Sequence, residues 1–336
     1  MPTCRSEDTR LKILLVRVSS LGDVLHNLPM VADLLREHPG ATIDWVVEEG
    51  YMSLVRLNPH VRKIIPWSLR RWRKSLGKKE TRAEIRAFFR TLREDEYDYV
   101  FDTQGLLKTG IIMGAARVRK GGKKVGLANG SEGSGYEGIS RIFHTNSIPL
   151  NPRTHAVARG RMVAGAALDY SVDSAPEFGL PAPTPATRPA FLPHDDYAVF
   201  FHGTARAAKK WADANWIALG AALAPMPVLL PWGSPAEHED AQALAAAIPN
   251  ARVLPKLSMM DAVLLAQHAR LAVGVDTGLT HIAAAFVRPT IEIYCDSPKW
   301  KTEGNWSDRI VNLGDLGAPP SSADVIAAAR RLLAQA

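Results

Sequence analysis

The chain has 336 residues, 46% of them hydrophobic and 22% charged, with a formal net charge of +7. That length suits two domains rather than one core, and the sequence holds no apolar run of the about 18–20 residues that a membrane-spanning helix needs. The opening MPTCRSEDTR lacks a signal peptide's apolar stretch, and two cysteines, Cys4 and Cys295, make no disulfide framework. A reducing cytoplasm is therefore the expected compartment. Residues 1–180 carry 28 Lys and Arg against 20 Asp and Glu, or +8, and residues 181–336 carry 13 against 14, or −1. The basic excess thus belongs to the first half, which suits an anionic partner: nucleic acid, a membrane surface or a phosphorylated substrate.

The first predicted element is the strand Lys12–Val16, which runs through Ser19-Ser20-Leu21-Gly22-Asp23 into a helix. A strand, tight turn and helix present backbone N–H groups, hydroxyls and a carboxylate at a sheet's carboxyl edge, where open α/β sheets bind ligands. One glycine there is too few for the dinucleotide fingerprint, and no Gly-Lys-Ser/Thr ending makes it a phosphate loop. Asp23 read alone is a helix-capping carboxylate or a functional one. The helix spans Gly22–Glu37, with Val24, Leu25, Leu28, Val31, Leu34 and Leu35 on its apolar face. Pro29 predicts a break within it.

Strands follow at Ile43–Val47 and Val61–Pro66, then an amphipathic helix over residues 80–95 and a strand over Tyr97–Asp102. Asp102-Thr103-Gln104-Gly105 exits that strand before a helix from Leu107. Residues 117–138 are rich in Gly, Lys and Arg, and Gly130–Gly135 reads as a flexible loop. A helix around Thr154–Ala167 closes this half. Pro176, Pro181, Pro183, Pro185, Pro189 and Pro193 then mark an interdomain linker over residues 176–195.

After the linker the pattern restarts. Strands are predicted at Tyr197–His202, Val228–Leu230, Ala251–Leu254, Leu271–Val275 and Thr290–Tyr294. Helices are predicted at Trp211–Leu223, Ala236–Ile248, Ser258–His268 with Asp261 in the capping-box position, up to Phe286, and Ser321–Gln335. Strands alternating with helices in both halves predict an α/β protein of two Rossmann-like domains, residues 1–175 and 196–336, with parallel sheets facing a cleft. The last helix is free to pack back on the first domain.

Three strand exits of the second half carry candidate chemistry. Gly203-Thr204-Ala205-Arg206 with Lys209 offers a hydroxyl, N–H groups and cations suited to a diphosphate, or a solvated basic helix entrance. Glu237, behind Pro231-Trp232-Gly233-Ser234-Pro235, is a sugar-hydroxyl acceptor or a helix-dipole partner. Asp276-Thr277-Gly278 with His281 is the sharpest signal, because an apolar strand ends directly in an anion nest. Structural capping by Asp276 is the alternative. In the first half, Arg70-Arg71-Trp72-Arg73-Lys74 and a second cluster at Arg117, Arg119, Lys120, Lys123 and Lys124 are solvated faces or anion-binding surfaces. A basic nucleic-acid-binding protein is a competing class, but beyond Trp72 few aromatics interleave the charge, and no nucleic-acid partner is expected.

With these residues assembled, the chain resembles the bacterial ADP-heptose:lipopolysaccharide heptosyltransferases. The resemblance runs essentially end to end and rests on SSLGDVLHNLP (19–29), DWVVEEG (44–50), IPWSLRRWRK (65–74), FDTQGLLKT (101–109), LPWGSPAE (230–237) and VDTGLTH (275–281). It implies the two-Rossmann glycosyltransferase B fold and inverting transfer of L-glycero-D-manno-heptose from ADP-heptose to the inner Kdo of Kdo2-lipid A. A sister enzyme acting on a later core acceptor is the alternative within the family. By resemblance, Asp23 is the general base, and Thr204, Ala205, Lys209, Glu237, Leu257, Asp276, Thr277, Gly278 and His281 bind the donor. Ala205 and Leu257 depart from relatives with Thr and Met there. The acceptor, with its carboxylates and phosphates, is expected to meet Ser19, Ser20, Gln104, Arg70, Arg71, Arg73 and Lys74. No cofactor and no metal ion are expected, because Lys209 and the Thr277-Gly278 nest can stabilise departing ADP. The expectation is a monomer, peripheral on the anionic cytoplasmic face of the inner membrane.

Overall fold

The computed structural model describes residues 10–183, 188–204 and 206–335. The chain divides into two compact units, Met1–Gly179 and Leu180–Ala336. In the first, strands β1 (Lys12–Val16), β2 (Thr42–Glu48), β3 (Val61–Trp67), β4 (Glu96–Asp102), β5 (Arg117–Leu127) and β6 (Asn146–Ile148) form one sheet in the order β3-β2-β1-β4-β5-β6. Every pairing is parallel. Parallel strands are covered on both faces, so β1 is an almost unbroken apolar run, Ile13 to Val16, fully buried.

The helices are α1 (Leu21–His26), α2 (Pro29–Glu37), α3 (Met52–Arg56), α4 (Leu69–Trp72), α5 (Lys79–Leu92), α6 (Leu107–Ala115) and α7 (Ala156–Leu168). The predicted break falls where expected: α1 ends at His26 and α2 begins with Pro29 at its first turn, where a missing N–H costs nothing. Arg161 of α7 donates to both oxygens of Asp33 on α2, at 2.6 and 3.1 Å. Both side chains are almost fully buried, so removing one partner would strand a charge at a cost of about 3–5 kcal/mol.

Two features differ from what the sequence suggests. The Gly-, Lys- and Arg-rich stretch, which the sequence assigns to no element, contains β5, an eleven-residue strand whose register slips opposite Tyr97–Tyr99, and β6 lies beyond it. Gly121 adopts a positive φ of 84° inside β5, a conformation that suits glycine and disguises the strand in the sequence. Trp72 is not interleaved with exposed charge. It is buried in the core with Trp67 and Phe88, ring centroids 5.1 and 5.9 Å away, and its indole N–H donates to Glu84 at 2.9 Å.

In the second unit, β7 (Ala198–Phe201), β8 (Val228–Leu230), β9 (Ala251–Val253), β10 (Leu271–Val275), β11 (Thr290–Tyr294) and β12 (Ile310–Gly314) run in the order β12-β11-β10-β7-β8-β9. Strand β12 was not predicted from the sequence. Helices α8 (Asp213–Ala222), α9 (Pro235–Ala247), α10 (Met259–His268), α11 (Gly278–Ala285) and α12 (Ser322–Ala334) flank this sheet. Val325, Ala328, Ala329 and Leu332 place the last helix in the second unit's own core, with Trp211, Trp216, Val273 and Ile291. Renumbered within each unit, both sheets have the Rossmann order 3-2-1-4-5-6. The strand direction of travel therefore reverses between β1 and β4, and again between β7 and β10, and these switch points are where such sheets bind ligands.

Candidate active site

At the first switch point, β1 exits through Arg17, Val18, Ser19 and Ser20 into α1. Ser20 is the cap residue of α1 and Asp23 the third helical residue, so Asp23 is not itself the cap. Its Oδ2 instead accepts from the Ser20 backbone N–H at 2.9 Å and the Ser20 hydroxyl at 3.0 Å, the return half of a capping box. Its Oδ1 meets the Arg17 guanidinium at 2.6 Å. Partial burial would raise the Asp23 pKa, but Arg17, the Ser20 bonds and His26 hold it well below the usual carboxylate range. The side chain stays 38% exposed, so the carboxylate is fixed yet reachable.

Around it the exit of β4 supplies cations and amides. Asp102, fully buried, accepts from the N–H groups of Gln104 and Gly105 and from the Thr109 hydroxyl, at 2.9, 3.0 and 2.8 Å. That organises the turn, whose Gly105 has φ of 69°. Gln104 then accepts from the Val18 N–H at 3.1 Å and reaches Ser19 Oγ at 3.4 Å. Lys108 donates to the same Ser19 oxygen at 3.1 Å. Burial lowers the Lys108 pKa, Glu48 opposes that, and Arg70 and Arg73 add to it. Arg159 of α7 lies near Arg17 and Asp23; burial and Arg17 push its guanidinium down to about 10. Its Nε lacks a hydrogen-bond partner among the described residues. Arg17, Lys108 and Arg159 were not singled out in the sequence. No motif marks them, because only the fold gathers them beside Asp23.

The predicted basic segment divides. Arg70 pairs with Glu48 at 3.0 Å. Arg71 is occupied by Glu49 and Glu84, at 3.1 and 2.7 Å. Arg73 and Lys74 are exposed. In the second cluster Arg117 pairs with Glu96, and Arg119 with Asp98.

At the second switch point, Lys209, from the turn after β7, meets Oδ2 of Asp276 at the end of β10. Oδ1 of Asp276 faces Nε2 of His281 at 3.1 Å, and His281 Nδ1 faces Glu292 Oε1 at 2.7 Å. Burial of the imidazole works against its charge, but Glu292 and Asp276 raise its pKa to about 10. Burial likewise opposes the Asp276 charge, and His281 with Lys209 holds that carboxyl far below its ordinary range. Thr277 caps α11 through its backbone only, without a side-chain bond, so N–H groups at that helix start are left for an anion. Gly278 opens the helix.

Glu237 accepts from the N–H groups of Gly233 and Ser234 at 2.7 and 3.0 Å, closing a capping box with Ser234. A Cβ on Gly203 would stand 2.8 Å from the Glu237 carboxyl carbon. The exits of β7 and β8 therefore touch here, with Thr204 beside the contact. Leu257 is half-buried in the segment between β9 and α10. Ala205 lies outside the described residues. Glu292, inside the apolar strand TIEIY, was missed: a glutamate there reads as an outward-facing strand position until His281 is seen against it.

Each unit thus carries a Rossmann-ordered sheet, the second with a cation and an open helix start at its switch point, an arrangement suited to binding a nucleoside diphosphate. Residues 85–325 match glycosyltransferase family 9 (heptosyltransferase), and the chain belongs to that family. It is 39% identical to lipopolysaccharide heptosyltransferase 1 of Pseudomonas aeruginosa, over 84% of this chain and 78% of that protein. It is 35% identical to lipopolysaccharide heptosyltransferase 1 of Escherichia coli K12, over 84% of this chain and 88% of that protein. Among solved structures, the E. coli heptosyltransferase WaaC with ADP superposes with a TM-score of 0.81 at 30% identity, covering 96% of this chain and all of that one. The same enzyme with ADP-2-deoxy-2-fluoro heptose gives 0.75 at 31%, covering 97% and 99%.

Proposed function

We propose that this heptosyltransferase moves L-glycero-D-manno-heptose from ADP-heptose to the inner Kdo of Kdo2-lipid A, in lipopolysaccharide core biosynthesis. The relatives at 35–39% identity bear the name heptosyltransferase 1, which favours the first heptose transfer over a later one. The observation that carries the mechanism is the Asp23 carboxylate, fixed by Arg17 and Ser20 yet open to solvent. The acceptor hydroxyl gives its proton to Asp23 as its oxygen bonds to the sugar's anomeric carbon, and ADP leaves from the opposite face with the bonding electrons. A carboxylate of such low basicity acts late, when the attacking oxygen has already become acidic. Lys108 and Arg159 suit the acceptor's carboxylates, and Arg70, Arg73 and Lys74 its phosphates.

The donor diphosphate suits Lys209 and the N–H groups at the start of α11, which offset leaving-group charge without a metal ion. Thr204 and Glu237 are placed for donor hydroxyls and Leu257 for the adenine face. Release of ADP from ADP-heptose and Kdo2-lipid A, read by mass spectrometry, tests the assignment. Transfer only to an already heptosylated core would move the protein to the later step.

Attachment to an anionic membrane surface belongs to the same reading. No described helix is long and apolar enough to cross a membrane. The first unit does expose Ile139 and Ile142, 54% and 68% accessible, beside Leu107 and Ile111 of α6. Lys108 and Arg141 stand between these apolar side chains in the sequence. Apolar groups rimmed by cations suit an interface of lipid headgroups. Sedimentation with phosphatidylglycerol vesicles should weaken with salt and with Ile142→Ser; insensitivity to both would refute this attachment.

A further inference from the structure

The second switch point contains more charge than a diphosphate site requires. Glu292 is fully buried in β11. Its Oε2 accepts from the Tyr294 hydroxyl at 2.9 Å and the Gly304 N–H at 2.8 Å, and its Oε1 faces His281. A carboxylate that accepts on both oxygens is being used as an anion. The His281 ring lies between two carboxylates, and a neutral imidazole has only one N–H to give. Both contacts are hydrogen bonds only when the ring carries both protons.

We propose that Glu292 is the positioning residue of the donor site: through His281 it holds the Asp276 carboxylate in place, which lets Lys209 leave Asp276 for the donor's diphosphate. The inference rests on the donor-site reading above. The geometry separates the two cations, because Lys209 meets Oδ2 of Asp276 while His281 meets Oδ1. Departure of the lysine therefore leaves Oδ1 anchored, with the Thr302 hydroxyl also at 3.3 Å. Charge balances as well: Lys209 and the imidazolium stand against Asp276 and Glu292. With a neutral ring, Lys209 would face two buried carboxylates without the imidazolium's charge beside it, and moving it would leave them poorly compensated.

The groups around His281 come from several elements. Asp276 ends β10, Glu292 and Tyr294 lie on β11, and Lys209 reaches Asp276 from the turn after β7. From α10, which packs on α11, Asp261 is engaged by Ser258 and His268 is influenced by Arg188 and Arg288. Replacing Glu292 by Gln removes one of the two anions that keep the ring charged, so its pKa falls toward its ordinary value near 6.5. Deprotonation then enters the working pH range.

The test is calorimetric titration of ADP into the full chain at pH 6 to 9, with NMR detection of the His281 ring nitrogens. In the wild type the ring stays doubly protonated across this range, and ADP affinity follows only the ionisation of the ADP phosphate itself. In Glu292→Gln, affinity matches the wild type near pH 6 and falls by up to about tenfold per pH unit above the new ring pKa. Tyr294→Phe removes a bond to Glu292 but keeps its charge; its melting temperature falls while its pH profile follows the wild type's. A neutral His281 ring in the wild type at pH 8 overturns the proposal, and this reading stands even if Glu292→Gln does not fold. A profile in folded Glu292→Gln that matches the wild type's also overturns it. The donor-site reading fails separately, when wild-type protein binds no ADP or Lys209→Met binds it as tightly.

Discussion

The two sheets share one strand order and place an aspartate at each switch point, yet the aspartates are held differently. Asp23 has one ion-pair partner, Arg17, two hydrogen bonds from Ser20, and a side chain 38% exposed. Asp276 has two cations, Lys209 and His281, and a side chain 10% exposed. Both are kept ionised, but only the first can meet a substrate proton without dismantling its surroundings. The second is part of the wall, and its cations are what a ligand would use. Ionisation alone thus does not mark a base; ionisation with access does.

The sharpest way to break this comparison is at Asp23. Asp23→Asn keeps an oxygen for the Ser20 bonds but cannot take a proton, so turnover should fall by about 10²–10⁴-fold, with ADP affinity unchanged by calorimetry. Near-normal turnover would leave Asp23 only its structural part in the Ser20 capping box. Lys209→Met should lower turnover by about 10²–10³-fold, the range for removing one preorganised charge-stabilising group, and weaken ADP binding as well. That double effect would separate the second site from the first.

A smaller change follows from Arg17→Met. Without the guanidinium the Asp23 pKa rises toward the ordinary carboxylate value, so an acid limb should appear in kcat/KM near pH 4–5 and activity should be lost as pH falls through it. Wild type should show no Asp23 limb there, because its depressed pKa lies lower. The ion pair's stabilisation follows the same sign: it is present above the unfolded pKa and is lost as pH falls through the folded one. The smallest effects are expected on the basic segment. Arg73→Ala and Lys74→Ala should raise the acceptor KM by a few-fold, to about tenfold, and flatten its salt dependence. Arg71→Ala, whose guanidinium is occupied by Glu49 and Glu84, should act on thermal stability more than on KM.

Much of this contrast was legible in the sequence. Alternating apolar strands and helices predicted both sheets, because parallel strands must be apolar on both faces. Asp276 stood out because it follows an apolar strand directly before a helix, and Asp23 because it opens a helix just after a strand and tight turn. What stayed hidden depended on contacts distant in sequence. Lys108 reads as one more helix lysine until Ser19 is found beside it, 89 residues away. Glu292 reads as a surface position until His281 meets it. Trp72 suggested an aromatic set among charges, but its partners Trp67 and Phe88 claim it for the core. Strand β5 escaped because Gly121, Gly122 and five cations mask its period.

The contact between Gly203 and Glu237 has a consequence for how this chain can vary. Any side chain at position 203 would collide with the Glu237 carboxyl group, 2.8 Å from where a Cβ would stand. Gly203→Ala on its own should expel that carboxylate from its cap and damage both strand exits. Shortening the neighbour, as in Glu237→Asp, would make room for the methyl group. The two positions should behave as an epistatic pair, in which a change at the first is better tolerated after a change at the second.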